Sequence, residues 1–364
     1  SRLLAEGVDA NATDLYCRTA LLLAVQLDRL DLVKLLFPRS EANKPDTKGL
    51  TPLGCAIVEK KLKIARFLLK HGVNPNESYE DGWTALHVAV TVGHDSTPVE
   101  FSSTIGDVAL ARCLLEHGAD STAINADGEM PLHYAMQVGN IEMAELLIPR
   151  MGDKCDKGDR SGNTPLNLAV QQGHQQVALF LLDHGANPLA VGPRGRTPLH
   201  EAARQGNLDL LKRLSNAVPP LTLVQPDADG NTPLHLAVCN YSVKDRSWES
   251  DNIAVVEWLL SVARADPNIP DEIGYTPLHE AASQGLAKIM KILLRNGADP
   301  KRRDREGRVP LHVSAEHGDV ETAKILFEGT GGLNLRDKEG MTPLLLSVYS
   351  RHSRILKMVK ELLL

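Results

Sequence analysis

The sequence has few aromatic residues and no long apolar run. Phe, Trp and Tyr together make up 4% of the 364 residues, so a packed core has to consist mainly of Leu, Ile, Val and Ala. No run of about 18 apolar residues, which a bilayer-spanning helix requires, is present. The first residues do not resemble a secretory signal peptide. We therefore expect no membrane insertion.

Cysteine is scarce, and neither sign of charge dominates. The five cysteines lie far apart and form no Cys-x-x-Cys pair, which indicates neither a zinc site nor a disulfide framework. Reduced thiols fit the cytoplasm or the nucleus. The formal net charge of −6 does not indicate a general nucleic-acid or anionic-membrane binder. We therefore expect an intracellular protein without a metal, a cofactor or a nucleic-acid partner.

One stretch, residues 272–300, shows the local sequence pattern most clearly. Gly274 supplies the backbone freedom that a tight turn needs, and Thr276 can cap the start of a helix. Pro277 follows at the first helical position, where its missing N–H is not needed. Leu278 begins the apolar side of a short first helix, and a second apolar stripe with helical spacing ends at an Asn-Gly pair. The pattern predicts two short helices after a turn.

Two short helices cannot bury a core alone, so copies of this unit are expected. With Thr276 as the marker, ten equivalent positions occur, and most are 32 to 35 residues apart. Leucine stands two residues after the marker in all ten, and proline directly follows it in eight. The markers are Thr19, Thr51, Thr84, Met130, Thr164, Thr197, Thr232, Thr276, Val309 and Thr342. A continuous array of stacked units is expected.

The repeated Thr-Pro-Leu-His-x-Ala pattern at this period resembles the ankyrin repeat. The resemblance covers essentially the whole chain. It implies an all-α fold, an ankyrin-repeat solenoid of stacked helix-turn-helix units with β-hairpin-like loops. It also implies a protein–protein interaction scaffold that binds a partner on its concave face, which the hairpin tips and the first helices form.

The repeats predict that residues 1–364 form a single continuous domain. A partial repeat occupies residues 1–13, and ten repeats begin near residues 14, 46, 79, 125, 159, 192, 227, 271, 304 and 337. Insertions near residues 95–106 and 241–251 separate the helices of the third and seventh repeats, and we expect both to emerge at the same edge. Neither end shows a polar capping repeat, so we expect the segment to be part of a longer protein.

A histidine stands three residues after the marker in six repeats, as His279 does. His200 and His279 each begin a His-Glu-x-x sequence, but Arg204 and Ser283 occupy the place of the second histidine that such a zinc site needs. The resemblance instead implies that this imidazole hydrogen-bonds between neighbouring loops. No other catalytic motif is present, so we expect the segment not to be an enzyme.

Two segments, Leu3–Asn11 and Leu260–Asn268, match a Leu-x5-Asp-x-Asn pattern. In ankyrin families such an asparagine can be hydroxylated by an oxygen-sensing hydroxylase. The alternative is that the side chain braces the loop through hydrogen bonds to nearby backbone, which asparagine forms readily.

Variable residues at the hairpin tips and first helices are the predicted partner-binding positions. Arginine and aromatic side chains contribute most to interface energetics, and both types occur at these positions. The predicted residues are Tyr16, Trp83, Arg160, Arg194, Arg196, Arg204, Ile273, Tyr275, Arg305 and Arg308.

Four of these residues, Arg160, Arg194, Arg196 and Arg204, come from adjacent repeats in a chain of negative net charge. Because a guanidinium pairs bidentately with carboxylate or phosphate, we expect them to bind an acidic or phosphorylated peptide segment. The alternative is that they are solvated or paired with Asp159 and Glu201.

Two functions remain open from the sequence. The first is a scaffold that binds another protein. The second is a regulatory or docking module of a larger enzyme or ion channel, in which these repeats bind other domains of their own chain.

Overall fold

Pairs of short helices make up the regular structure of the protein. The computed structural model describes residues 9–91, 106–239, 249–330 and 334–350. Over these ranges, β-pairing is limited to two isolated antiparallel bridges, Thr13–Thr19 and Ser78–Thr84. The all-α fold class is confirmed. Residues 92–105 and 240–248, which hold most of both insertions, lie outside the described ranges, so the expected common edge stays a prediction.

The chain divides into two compact units, Ser1–Asn187 and Pro188–Leu364. In the first unit the helices are α1 (Ala20–Gln26), α2 (Leu30–Leu36), α3 (Pro52–Val58), α4 (Leu62–Lys70), α5 (Ala85–Val90), α6 (Val108–Glu116), α7 (Pro131–Val138), α8 (Ile141–Leu147), α9 (Pro165–Gln171) and α10 (Gln175–Asp183). Short 3-10 turns occupy Phe37–Arg39, Glu80–Gly82, Ile148–Arg150 and Gly152–Asp156. The single continuous domain stays a prediction.

The second unit repeats the same helical arrangement. Its helices are α11 (Pro198–Arg204), α12 (Leu208–Asn216), α13 (Pro233–Val238), α14 (Glu249–Ser261), α15 (Pro277–Ser283), α16 (Ala287–Arg295), α17 (Pro310–His317), α18 (Val320–Thr330) and α19 (Pro343–Tyr349). Two 3-10 turns occupy Pro193–Gly195 and Pro220–Val224. Within each unit, the first helices of consecutive repeats pack on one another, and the second helices do the same.

The marker residue stands at the start of each first helix as predicted, and it is a threonine in eight of the ten repeats. The hydroxyl of Thr51 accepts a hydrogen bond from the N–H of Gly54 at 3.1 Å, and that of Thr19 accepts one from Leu22 at 3.2 Å. Thr276 caps α15, with Pro277 at the first helical position. These bonds satisfy N–H groups that have no partner inside the helix.

The leucine two residues after each marker forms the repeated core. Nine of the ten are at most 2% exposed: Leu21, Leu53, Leu86, Leu132, Leu166, Leu199, Leu234, Leu278 and Leu311. Leu344 is partly exposed. Small residues of the same helices, such as Ala281 and Ala282, are also fully buried. The helices therefore pack closely on their neighbours, which lets thin layers of Leu and Ala form a core with few aromatic residues.

The glycines that were predicted to form turns lie in the left-handed region. Gly274 has a φ of 88°, and Gly297, which follows α16, has a φ of 89°. Cys17, which replaces the turn glycine in the first repeat, adopts the same conformation with a φ of 58°. The turn geometry is therefore retained where the glycine is not, at a cost in backbone strain.

Tyr79 explains why the second repeat has glycine in place of histidine. A Cβ atom added to Gly54 would lie 2.6 Å from the hydroxyl of Tyr79 and 2.7 Å from its Cζ. The ring of Tyr79, which belongs to the next repeat, therefore fills the space where other repeats carry an imidazole. Burial raises the pKa of the Tyr79 phenol far above its usual value, so it stays neutral.

Gly54→Ala should destabilise the protein, although alanine normally favours a helix by about 1 kcal/mol over glycine. The clash with Tyr79 should cost about 1–3 kcal/mol, as overpacking of a tight site does. In a Tyr79→Ala background the same substitution should be neutral or stabilising. Chemical unfolding of the four proteins of this cycle measures the coupling. Equal effects of Gly54→Ala in both backgrounds would contradict the packing described here.

Candidate functional site

The side chain of an aspartate or asparagine braces the hairpin in seven of the described repeats. In the eighth repeat, Oδ1 of Asp271 accepts hydrogen bonds from the N–H groups of Ile273 at 3.0 Å and Tyr275 at 2.7 Å. The residues that make the same pair of bonds in other repeats are Asp14, Asp46, Asn125, Asp227, Asp304 and Asp337. In most of these repeats the bracing residue begins an Asp-x-x-Gly sequence, five residues before the marker. The glycine was predicted from the sequence, but the role of the aspartate was not.

Backbone hydrogen bonds join consecutive hairpins at their ends. We call the two residues between the bracing residue and the glycine the tip positions. In the second unit, Arg305 N donates to Ile273 O at 3.1 Å, and Glu272 N donates to Asp229 O at 3.0 Å. In the first unit, Arg160 N donates to Asp127 O at 2.8 Å. The tip backbone is therefore held by the neighbouring repeat, which leaves the tip side chains to make other contacts.

In five of the described repeats, a buried histidine connects the first helix to the next hairpin. The N–H of Thr276 lies 3.2 Å from Nδ1 of His279, and Nε2 of His279 lies 3.2 Å from the carbonyl oxygen of Arg308. Because a backbone N–H can only donate and a carbonyl can only accept, Nδ1 is the acceptor and Nε2 carries the proton. Further junctions of this kind are made by His87, His133, His235 and His312.

The histidines of these junctions are kept neutral by burial. Burial lowers the pKa of His87, His235 and His279 from 6.5 to about 4, although hydrogen bonds to backbone carbonyls partly oppose the shift. Burial also lowers the pKa of His133 and His312. A neutral imidazole can accept at one nitrogen and donate at the other, as the junction requires.

The free energy of unfolding should fall as the pH drops from about 6.5 towards 4. In this range the unfolded chain takes up protons that the folded histidines do not, so each one removes up to roughly 1.4 kcal/mol per pH unit. His279→Asn should lower stability at pH 7 and reduce this dependence by the share of one histidine. Urea unfolding at several pH values measures both effects, with His317→Asn as the exposed control. An unchanged pH dependence in His279→Asn would contradict the assignment.

Nine of the ten predicted partner-binding residues fall into two groups, and the tenth, Arg204, lies in helix α11. Five occupy tip positions and are exposed: Tyr16, Arg160, Arg194, Ile273 and Arg305. Tyr16 is 61% exposed and Ile273 is 56% exposed. Arg160 belongs to the first unit, whereas Arg194, Ile273 and Arg305 belong to the second. Their role in partner binding stays a prediction.

Four others, Trp83, Arg196, Tyr275 and Arg308, stand directly after the turn glycine, which we call the post-glycine position. The expectation that Trp83 is an exposed contact is wrong, because it is 6% exposed and its ring centroid lies 4.9 Å from that of Tyr134 in the next repeat. The hydroxyl of Tyr134 in turn donates to Glu129. Trp83 therefore stabilises the stack between two repeats.

Acidic neighbours neutralise two of the arginines that were expected to form a free positive patch. Nε of Arg196 lies 3.1 Å from Asp227, and its Nη1 lies 3.5 Å from Glu201. Arg204 pairs with the same Glu201 at 2.6 Å. Arg196 and Arg204 are therefore paired with Glu201, which was one of the alternatives that the sequence left open. The sequence-based expectation overlooked Asp227 because it belongs to the following repeat.

Arg308 and Tyr275 are likewise engaged inside the second unit. Nη2 of Arg308 donates to the hydroxyl of Tyr275 at 3.0 Å, and the guanidinium pairs with Asp304 at 2.9 Å and Glu316 at 3.3 Å. The pKa of Tyr275 is raised to about 12, mainly by burial. Post-glycine side chains therefore support the hairpins, whereas tip side chains are presented to solvent.

Arg196→Ala should cost about 1–3 kcal/mol of stability, because it leaves the fully buried carboxylate of Asp227 without its ionic partner. Arg305→Ala, at an exposed tip of the same unit, should change stability by about 0.5 kcal/mol or less. Thermal and urea unfolding followed by circular dichroism compare the two. Equal losses would mean that post-glycine and tip arginines do not differ as described.

The side chain of Asn268, at the end of the seventh repeat, forms hydrogen bonds with the loop that ends the eighth repeat. Its side-chain nitrogen donates to Gly297 O at 2.9 Å, and its oxygen accepts from Asp299 N at 2.7 Å. Oxygen Oδ1 of Asn11 accepts from Glu41 N in the same manner at 2.7 Å. Both side chains therefore brace loops, but their bonds reach the next repeat and not the local backbone that was expected. Hydroxylation of these asparagines stays a prediction.

Within the described ranges, no cluster of three or more His, Cys, Asp or Glu side chains is arranged to hold a metal ion. Cys55 and Cys113 are buried core residues, and burial raises the pKa of Cys55 to about 12. The described helices do not include one that is both long enough and apolar enough to cross a bilayer.

Two sequence-family models match this chain. One, described as ankyrin repeats (3 copies), matches residues 1–79, 21–101, 99–191, 246–332 and 278–363. The other, described as ankyrin repeats (many copies), matches residues 168–215 and 199–241. Together these matches cover nearly the whole sequence.

Curated relatives share part of this chain. The palmitoyltransferase AKR1 of Lachancea kluyveri is 29% identical over 159 residues, which are 43% of this chain and 20% of that protein. The nuclear factor NF-kappa-B p105 subunit of Mus musculus is 33% identical over 151 residues, or 41% of this chain and 14% of that protein. The Gallus gallus p105 subunit is 31% identical over 142 residues, which are 38% of this chain and 13% of that protein. The match therefore spans at most a fifth of each of these relatives.

Proposed function

Because the chain belongs to the ankyrin-repeat family, we propose that it is a protein–protein interaction scaffold that binds its partner through the exposed hairpin tips. Ankyrin repeats are generally modules for protein interaction. The observation that carries the proposal is the row of tips in the second unit. Their backbone is fixed by the next repeat, while the side chains of Arg194, Ile273 and Arg305 are exposed.

A rigid backbone with exposed side chains suits recognition for a thermodynamic reason. Binding is opposed by the loss of conformational freedom at the interface, and a surface that is already ordered loses less. The side chain of Arg194 is 70% exposed, and its nearest carboxylate, on Asp229, is 3.9 Å away. Such a weak, solvated pair leaves the guanidinium free to exchange partners. Ile273 offers an apolar contact beside it.

The proposed partner is another protein or a peptide segment, bound on the concave face. Acidic residues Asp229, Glu272 and Glu306 alternate with the basic tips, and this mixture suits a protein surface better than the uniform charge of a nucleic acid. We assign no catalysis to the segment, because five of its buried histidines are engaged in repeat junctions. Cys55, Cys113, Cys155 and Cys239 are buried and are not joined in disulfides, which supports a reducing intracellular compartment.

A second candidate is a docking module for other domains of a longer chain. It is supported by the relatives, which are a palmitoyltransferase and two nuclear factor NF-kappa-B p105 subunits that share only 13% to 20% of their length with this chain. In this case the same tips would bind a segment of the same polypeptide. The physical requirement on the tips is identical in both cases.

The double variant Arg194→Ala with Ile273→Ala tests the proposal. It removes two exposed tip side chains and should weaken partner capture about tenfold, as the loss of interface hot spots does. Lys212→Ala with Leu221→Ala is the matched control, because it removes an exposed cation and an exposed aliphatic residue away from the tips. Affinity purification with quantitative mass spectrometry compares the three proteins.

Circular dichroism establishes that all three are folded equally. Partners retained by the tip variant at the wild-type level, or lost equally from both variants, would contradict the proposal.

A further inference from the structure

The loop that precedes the ninth hairpin is strongly basic. Lys301, Arg302 and Arg303 are consecutive, and Arg305 follows at the first tip position. All four side chains are exposed. The segment 301–308 holds five cations and two anions, in a chain whose formal net charge is −6. This concentration of positive charge is therefore local.

These four cations line a groove of about 470 Å³, which also contacts Pro270 and Gly274 of the preceding repeat. We call it the cationic groove. Gly274 brings the two hairpins close together, because a Cβ there would lie 2.6 Å from Arg305 N. Any side chain at this position would push the hairpins apart, so the glycine keeps the cations of the ninth repeat close to the preceding hairpin.

The charge of the cationic groove is not neutralised by the described part of the chain. None of Lys301, Arg302, Arg303 and Arg305 has a carboxylate of a described residue within 4.0 Å. Asp304, which also lines the groove, is 7% exposed and pairs with Arg308. Asp299, the other acidic lining residue, accepts the backbone N–H of Lys301 at 2.8 Å. The groove differs in this respect from the neutralised Arg196 and Arg204.

Arg303 is positioned by backbone and not by an acid. Its Nη1 donates to the carbonyl oxygens of Gly307 and of Arg336, the latter at 2.7 Å. The guanidinium is therefore fixed between the ninth and tenth repeats while its charge stays uncompensated. Its Nε and Nη2 make no hydrogen bond to a described residue and can donate to an anion. A donor that is held in place before binding loses little freedom on binding.

The surroundings of the cationic groove favour a short anionic group over a long polyanion. Glu272 and Glu306 are exposed at tips beside it, and the side chain of Glu306 is 69% exposed. They would repel a nucleic-acid backbone or an anionic membrane surface that extended past the groove. Ile273, 56% exposed, offers an apolar contact next to Gly274. A polypeptide that carries one anionic group beside an apolar residue avoids the repulsion by the two glutamates and can also contact Ile273.

We propose that the cationic groove binds the phosphate group of a phosphorylated polypeptide segment of a partner. This inference rests on the proposed function as a protein-recognition scaffold and names the chemistry of one part of its partner. A phosphate carries close to two negative charges and three acceptor oxygens. It can pair with more than one guanidinium at once, whereas a single carboxylate has only two oxygens for the four cations.

The binding test uses a peptide library with one fixed phosphoserine between randomised positions, and matched libraries with serine or glutamate. The purified full chain should retain phosphoserine peptides and not the other two. For the best peptide, Lys301→Ala with Arg302→Ala should weaken affinity about tenfold or more. The matched control, Lys288→Ala with Arg295→Ala, removes two exposed cations from helix α16 of the eighth repeat and should have little effect.

Several outcomes would overturn the inference. These are no preference for phosphoserine, equal loss in both variants, or displacement of the peptide by equimolar inorganic phosphate. Binding of single-stranded RNA or of phosphatidylserine vesicles that depends on Lys301 and Arg302, without phosphopeptide binding, would also overturn it. Arg194→Ala with Ile273→Ala is measured in parallel on the captured partners. If those partners depend on the tips and no phosphopeptide depends on the groove, this inference fails and the proposed function stands.

Discussion

A buried, neutral histidine holds the hairpin of one repeat against the next in five of the described repeats. His279 shows the arrangement: one ring nitrogen accepts from the start of its own helix, and the other donates to the following hairpin. The bond fixes the distance between consecutive hairpins, so the tip residues of neighbouring repeats can form their own backbone hydrogen bonds. Presentation of the tip side chains depends on this spacing.

Repeats that lack the histidine show that its space has to be filled. In the second repeat, the ring of Tyr79 occupies the volume beside Gly54. In the fifth repeat, the buried amide of Asn167 has no hydrogen-bond partner among the described residues. A buried polar group without a partner destabilises the fold. An aromatic ring and an amide thus replace the imidazole in these two repeats, and the first helix of each still starts with a capping threonine.

The repeated architecture was predictable because its causes are local in sequence. The capping threonine, the proline after it and the left-handed turn residue act within a few positions, and Cys17 keeps the left-handed turn without a glycine. Trp83 and Arg196 were not predictable in this way. Each stands one residue beyond the turn glycine, and its neighbour, Tyr134 or Asp227, arrives from the next repeat. Whether such a side chain faces solvent depends on that distant residue.

The division between tip and post-glycine side chains separates the residues that support the hairpins from those that are exposed to solvent. Arg308 and Tyr275 stabilise the hairpins from inside. Ile273 and Arg305 can then vary without loss of the fold, because their backbone groups and not their side chains join the repeats. Partner specificity can therefore reside in a few exposed positions of an otherwise uniform array.

Site-specific photocrosslinking in cells tests most directly whether the tips are the binding surface. A benzophenone amino acid is placed in turn at the positions of Ile273, Arg305 and the exposed, off-tip residue Leu221. Binding through the tips predicts that a partner polypeptide crosslinks from the first two positions and not from the third. Crosslinks to that partner from the Leu221 position alone would contradict it.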